Sequence, residues 1–576
     1  MHKTLWKNIE LKKNESVEIE GIDPVITGIL HQKGITDEKE IREFLSDKPK
    51  KTYDPFLMKD LGEACELIEG VIEKQGHIIF YGDYDVDGIT STTLLMDFFR
   101  SFYPNISYHI PHRQEEGYGL NLDTLKELVS TRRPQLLISV DCGITALKEV
   151  DYLTGQGVEV IITDHHTPGE ELPKSLVINP KRQDCKYPFK DLSGCGVAFK
   201  LTQGLQRRLN LDKKMLNKNL DLVALATVAD VVPLRDENRT LLKYGLQRIN
   251  DRRRLGLKVL LEEIHLGDKK ITPGHIGFMI GPHFNAGGRV AEARRGVELL
   301  LTKDRSEALE IARHLAGCNE ERQEIQQVGL DRCLTEIEEK YLGEYFLVVD
   351  LPGLHEGVIG IIAGRIKETY YRPVLVLTNS EDPIVYKGSG RSIEGFDLYQ
   401  ELSNYQDLFE KFGGHPAACG LSLEKKNIPI LRRELNKRAR ALKEKDQELF
   451  LKKIKIYAKV QEEKLHKGFI ETIHRMEPYG MGNEKPLFLL EDLRVPHGGK
   501  QRLGKEKNHV KLKGRVFGGK KEVEAIGFNM VEKYFEELQS PDAIDLVFFP
   551  EINVWNGRES VQLLIQDLRR HEKWEE

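Results

Sequence analysis

From about residue 53 onward, short apolar runs alternate with segments of helical period. HIIFY (77–81), LLISV (136–140), VEVII (158–162) and LVIN (176–179) are strand-length, and helical patterns such as TTLLMDFFR (92–100) lie between them. Strands and helices alternating at this spacing predict a mostly parallel sheet with helices on its faces. LDLVALATVADVVPL (220–234) reads as a buried segment ended by Pro233. Farther on, Ala308, Ile311, Ala312 and Leu315, then Ile325, Val328, Cys333 and Ile337, recur at helical spacing, which predicts long connecting helices over about 303–341. FLVVD (346–350), GVIGIIAGRI (357–366) and VLVLT (374–378) predict a second strand and helix region. The charged stretch 440–455 marks a boundary, and beyond it HVKLKGRVF (509–517) and SVQLLIQDL (560–568) alternate as in an all-β barrel or sandwich.

Composition adds limits to this pattern. A chain of 576 residues exceeds what one core serves, so three or four domains are expected. The formal charge of −5 is nearly balanced, so any nucleic-acid site has to be a local patch. The seven cysteines, at 65, 142, 185, 195, 318, 333 and 419, form no C-x-x-C pair, which argues against a zinc site or a disulfide framework and for a reducing compartment. The N-terminal residues lack the apolar core of a signal peptide, and no apolar run reaches membrane-spanning length. A cytoplasmic protein without membrane attachment is expected.

The chemistry lies where the carboxylates fall. Asp83, Asp85 and Asp87 follow HIIFY, Asp141 follows LLISV, and Asp164, His165 and His166 follow VEVII. Groups just beyond the carboxyl ends of parallel strands converge on one crevice. Oxygen ligands with one or two imidazoles suit Mn²⁺ or Mg²⁺, and a pair of such ions is the usual device for displacement at phosphorus. Asp is also a common turn and N-cap residue, but three successive strands ending in acid or histidine outweigh that explanation. Asp230, at the end of an apolar run, is open to either reading: an added ligand or a helix-terminal carboxylate.

At this point the motifs resemble a known family. YGDYDVDGITS (81–91), SVDCG (139–143), TDHH (163–166) and ATVADVVPL (226–234) are similar, in order and spacing, to the four motifs of the DHH phosphoesterases. GPHFNAGGR (281–289), HEGVIGIIAGR (355–365), GSGRS (388–392) and FGGHPAACG (412–420) resemble the companion DHHA1 domain. EPYGMGNEKPLF (477–488), AIGF (525–528) and NVWNGRESVQLLIQD (553–567) resemble the OB-type domain of the family's single-stranded-DNA exonucleases. The resemblance implies an α/β multidomain chain: an N-terminal helical or irregular segment (1–50), a DHH catalytic domain (51–235), a helical connector (236–340), a DHHA1 domain (341–440) and an OB-like barrel (450–576).

It also implies roles. Asp85, Asp87, Asp141, His165 and Asp230 would be ligands to two divalent ions, Mn²⁺ or Mg²⁺, with Asp141 bridging. His166 would face the scissile phosphate, Asp164 would orient a histidine, and Asp83 either ligates or only shapes its loop. Arg113, Arg289, Ser389 and Arg391 would hold a terminal 5′ phosphate, and His415 matches a substrate-contacting position, although a turn histidine reads equally well. His283 stands where the family pattern has Arg, so part of the phosphate binding there is in question.

The activity implied is 5′-to-3′ hydrolysis of single-stranded DNA to 5′ mononucleotides in DNA repair and recombination, with a helicase or a single-strand-binding protein as conceivable partner. Independently of the family, 500–521 is rich in lysine, and Phe488, Phe517, Phe528 and Trp555 are candidate stacking residues for a strand. Two rival readings are a phosphodiesterase for short oligonucleotides or cyclic dinucleotides, against which residues 450–576 speak, and a non-catalytic strand-binding relative, against which the intact acids speak.

Overall fold

The computed structural model describes residues 4–8, 19–112, 116–290, 293–380, 382–531, 534, 543–555 and 557–571, without the side chains of 287–290 and 555. The chain forms two compact units: residues 42–321 with 476–484, and residues 1–41, 322–475 and 485–576.

The first unit is built on five parallel strands in the spatial order Ile106–His109, Ile78–Tyr81, Leu136–Val140, Glu159–Thr163, Leu176–Ile178. Strands Ile78–Tyr81 and Leu136–Val140 are buried along their whole length. That is why they read as unbroken apolar runs, as strands covered on both faces do. Each such side chain taken out of water stabilises the fold by about 1.5–3 kcal/mol, which fixes the register on which the acids' positions depend. One face packs helices Val86–Phe99, Gly194–Arg208 and Leu220–Ala229 into the main core, and the other carries a smaller cluster with Leu125, Leu128, Val150 and Leu153. After Ile78–Tyr81 the chain turns outward to the edge strand Ile106–His109, then returns to the opposite side for Leu136–Val140. The crevice of this doubly wound sheet therefore opens between the carboxyl ends of those two central strands.

The edge strand Ile106–His109 was not anticipated. Its four residues are all only half-buried, and Pro104 and Pro111 flank it, so no apolar run announces it. The segment 220–234 is a helix, Leu220–Ala229, that ends at Asp230 before Pro233 is reached.

The long helix Arg305–Glu336 matches the expected connector. In the second unit, strands Phe409–His415, Ala418–Glu424, Val385–Arg391, Val374–Asn379 and Leu347–Asp350 form a mixed sheet in that order, backed by helix Glu356–Tyr370. In the C-terminal part, the pairings run Leu487–Arg494 to Ile544–Trp555, to Arg558–Arg570, to Val523–Gly527, to His509–Val516, and back to Leu487–Arg494. These five strands close on themselves, which is the expected barrel. Strand Lys453–Lys459 extends the sheet, and Leu5–Asn8 pairs with it in parallel. The N-terminal segment, read as helical or irregular, thus contributes a strand as well as helices Pro24–Gln32 and Glu38–Phe44.

Candidate metal centre

Asp83, Asp85 and Asp87 lie in the loop and first turn after strand Ile78–Tyr81. Asp85 caps helix Val86–Phe99, its Oδ1 accepting from Gly88 N at 3.0 Å. The capping explanation for this Asp is therefore correct as far as one oxygen goes, and the other remains for a cation. Gly88 is required because a Cβ there would lie 2.4 Å from the Asp83 carbonyl oxygen. Asp87 accepts from the Gly194 and Cys195 amides, each at 2.7 Å, at the start of helix Gly194–Arg208. These amide donors were not anticipated. The glycine pair in SGCGVAFK, opening an apolar helix, was the available signal. Gly194 also makes room for Asp141, since a Cβ would come 2.5 Å from its Oδ1.

Asp141, at the end of Leu136–Val140, adopts a left-handed backbone with φ 62°. A non-glycine residue there is uncommon, and such strain gathers at functional sites. His165 Nε2 lies 3.1 Å from Asp141 Oδ1, 3.6 Å from Asp230 Oδ2 and 3.8 Å from Asp87 Oδ2. Among the described residues, three overlapping groups could each hold an ion with ligand atoms within 4.8 Å: Asp83, Asp85 and Asp141; Asp141, His165 and His166; Asp87, His165 and Asp230. Asp141 and His165 each belong to two of them.

Asp164 is placed differently. Its Oδ1 accepts from the His165 and His166 amides at 2.7 and 3.0 Å and lies 2.8 Å from His166 Nδ1, while Oδ2 accepts from Ile144 N at 2.9 Å. Oδ1 is thus spent on the histidine turn and Oδ2 on the loop that follows Asp141. His166 is half-exposed and also meets the Tyr118 hydroxyl, 3.3 Å from Nδ1. Tyr118 was not anticipated, and nothing in EGYGL distinguishes it from a loop tyrosine.

The protonation balance asks for cations. Burial, followed by the neighbouring Asp230 and Asp85, pushes Asp87 well above the ordinary carboxylate range; burial, followed by Asp87 and Asp85, does the same to Asp141. Burial and then Asp85 push Asp230 up to about 7. Burial, and then His166, drives His165 down to about 3, so its imidazole is neutral and able to ligate. Burial works against both partners of the Asp164–His166 pair, but their mutual hydrogen bond and attraction win, holding Asp164 low and His166 high. Asp141 Oδ1 and His165 Nε2 are buried without a hydrogen-bond partner. Orphaned buried atoms among crowded carboxylates are costly as they stand and are satisfied by divalent cations. The donor set, carboxylate oxygens with imidazole, fits Mn²⁺ or Mg²⁺.

The remaining expected residues lie elsewhere. Ser389 and Arg391 share strand Val385–Arg391 in the second unit, with Arg391 Nη1 donating to Ser389 Oγ at 3.1 Å and to Gly390 O at 2.8 Å. His415 ends the edge strand Phe409–His415, separated from Val385–Arg391 by strand Ala418–Glu424, and is exposed. Arg113 lies outside the described residues; Arg289 is in helix Gly281–Val290, but its side chain is outside them. His283, on that helix, places Nδ1 2.5 Å from Met279 O and Nε2 3.3 Å from Asn319 Nδ2.

Of the candidate stacking residues, Phe488 is a core residue against Phe469 and Phe548, which removes it from that role. Phe517 and Phe528 are exposed, at 65% and 56%. The side chain of Trp555 lies outside the described residues. The positive stretch is partly neutralised by its neighbour strand, Glu524 meeting Lys511 at 2.7 Å and Lys513 at 3.2 Å. All seven cysteines are free and buried, and no helix among the described residues is long and apolar enough to cross a membrane.

Residues 77–227 match the DHH family, N-terminal domain; residues 343–441 match the DHHA1 domain; residues 456–567 match the RecJ OB domain. A single-stranded-DNA-specific exonuclease RecJ of Bacillus subtilis is 36% identical over 95% of this chain and 68% of its own length. The crystal structure of RecJ from Thermus thermophilus in complex with Mn²⁺ superposes with a TM-score of 0.82 at 28% identity, over 99% of this chain and 80% of that one. The corresponding Mg²⁺ complex gives 0.77 at 26% identity, over 99% and 79%.

Proposed function

This chain belongs to the RecJ family of single-stranded-DNA-specific exonucleases, and on that premise we propose that it degrades single-stranded DNA from the 5′ end, releasing 5′ mononucleotides. It is a metal-dependent phosphodiester hydrolase, using Mn²⁺ or Mg²⁺. The observation that carries the reading is the convergence of Asp85, Asp87, Asp141, His165 and Asp230 at the carboxyl ends of the central strands.

Asp85, Asp87, Asp141, His165 and Asp230 would hold the ions, with Asp141 contributing to both sites. Divalent ions held there would supply an activated water and charge stabilisation for the departing oxygen. The protein's own part is geometric and protonic. Asp87 is fixed by the Gly194 and Cys195 amides, which hold one carboxylate of the Asp87, His165 and Asp230 group in place. His166, whose pKa Asp164 raises against the opposing effect of burial, donates a hydrogen bond or a proton at the scissile phosphate and its leaving 3′ oxygen. Asp164 orients that ring. Arg113, Arg289, Ser389 and Arg391 take the terminal 5′ phosphate, and His415 contacts the strand beside it; guanidinium forks and a hydroxyl are the groups a phosphate dianion needs.

The barrel, with Phe517 and Phe528 exposed, supports binding of a long strand. The free, buried cysteines support a cytoplasmic setting. A helicase or single-strand-binding protein that delivers strands is the class of partner this substrate calls for.

The test is digestion of single-stranded DNA labelled at either end, in Mn²⁺, Mg²⁺ or EDTA. Immediate release of the 5′ label as mononucleotide, with the 3′ label retained on shortening strands and no cleavage in EDTA, is expected. Early release of the 3′ label would reverse the polarity.

A further inference from the structure

The turn that carries Asp230 is held by a segment remote in sequence. Asp230 ends helix Leu220–Ala229, and the next residue, Val231, has φ 58° and is 63% exposed. Asp236, which opens helix Asp236–Asn250, is also left-handed, at φ 51°. A β-branched residue in that region is strained and persists only where its surroundings over-determine it. Two amides fix Asp87, whereas among the described residues no hydrogen bond holds the Asp230 carboxylate, and His165 Nε2 stands off at 3.6 Å. Its position thus depends on the turn.

Residues 476–484 close over that turn. Leu234 N donates to Met481 O at 2.7 Å. Gly480 and Gly482 lie so near that a Cβ would come 2.5 Å from Leu234 Cδ1 and 3.1 Å from Pro233 Cβ, and Gly482 is left-handed at φ 69°. The segment is itself pinned. Asn483 is fully buried and donates to Met476 O at 2.9 Å and Pro478 O at 2.8 Å. Arg239, on helix Asp236–Asn250, donates to Met476 O and Phe44 O, each at 2.9 Å. These nine residues belong to the compact unit of the acids, although helix Lys467–Arg475 and strand Leu487–Arg494, on either side in sequence, belong to the other.

We propose that residues 476–484 are a positioning element of the metal centre: they fix the 231–236 turn and so place Asp230 opposite Asp87 and His165. This rests on the metal-dependent reading above. Asp230 is the one proposed ligand carried by this turn, so disturbing the segment weakens one ion site and leaves the other.

The experiment titrates metal-stripped, full-length protein with Mn²⁺ in the absence of DNA, following the free ion by electron paramagnetic resonance. Two sites are expected for the unaltered protein, one of them weakened in Asp230→Ala. Gly482→Val and Asn483→Ala weaken that same site by about tenfold or more, the scale seen when a ligand's support is removed, and leave the other unchanged. Gly482→Asn, which tolerates the left-handed backbone, stays closer to the unaltered protein. Circular dichroism and thermal melting in EDTA establish that each variant is folded; if Gly482→Val is not, Asn483→Ala and Gly482→Asn decide. Folded variants that bind two ions with unaltered constants, or that lose both sites equally, overturn the proposal. The nuclease reading fails separately, if the unaltered protein binds Mn²⁺ but leaves single-stranded DNA intact.

Discussion

Asp141 combines a left-handed backbone, full burial, an unpartnered oxygen and membership of two candidate ion groups. On the proposed assignment, replacing it would leave both ions without a shared ligand. Asp141→Ala should lower single-stranded-DNA hydrolysis by about a thousandfold or more at saturating Mn²⁺, the order expected when one strong transition-state interaction is lost. Because the variant relieves carboxylate crowding, it should remain folded by circular dichroism; near-normal turnover would remove Asp141 from the chemistry.

The same crowding sets a pH dependence. Asp230, at about 7, and Asp87 and Asp141, also raised, have to lose protons to bind metal. Mn²⁺ affinity should therefore rise from pH 6 to pH 8 with proton release, measurable by titration calorimetry in buffers of different ionisation enthalpy. The stability sign follows. Folded pKa values above the unfolded value of about 3.9 mean that ionisation destabilises the metal-free fold as pH rises from about 4 through 7. The melting-temperature gap between Mn²⁺ and EDTA should widen from pH 6 to pH 8, and a gap that narrows would contradict the crowding argument.

At the scale of elements, the apolar runs gave the central strands because those strands are covered on both faces. The acids were legible because each follows such a run. What escaped was not apolar or not local: the half-exposed edge strand Ile106–His109, the strand Leu5–Asn8 whose partner lies more than 400 residues away, and the amides of Gly194 and Cys195 on Asp87. Phe488 was misplaced as a stacking residue because an aromatic in an alternating strand reads the same on either face, and it is the inward face that it occupies. Phe517 and Phe528 remain outward. Their replacement by Ala should each weaken binding of long single strands by about 1–3 kcal/mol per lost stack. Because neither carries charge, the dependence of log affinity on log salt should stay the same. A changed slope would mean that the substitutions had moved the lysines.

At the scale of the whole chain, the acids and the Ser389–Arg391 pair lie in different compact units. Arg391→Ala should slow cleavage of 5′-phosphorylated strands more than of 5′-hydroxyl strands, by about 1.5–3 kcal/mol for a lost charge-assisted hydrogen bond. Arg391 also donates to Ser389 and Gly390 within its sheet. Equal slowing of both substrates would therefore assign it to folding or general strand binding. The central claim, that acids gathered from the strand ends hold two ions through Asp141, is tested most directly by anomalous diffraction from crystals grown with Mn²⁺. The account predicts two peaks about 3.5–4 Å apart, both within coordination distance of the Asp141 carboxylate, with His165 and Asp230 among the remaining ligands. A single peak, or peaks that do not touch Asp141, would contradict it.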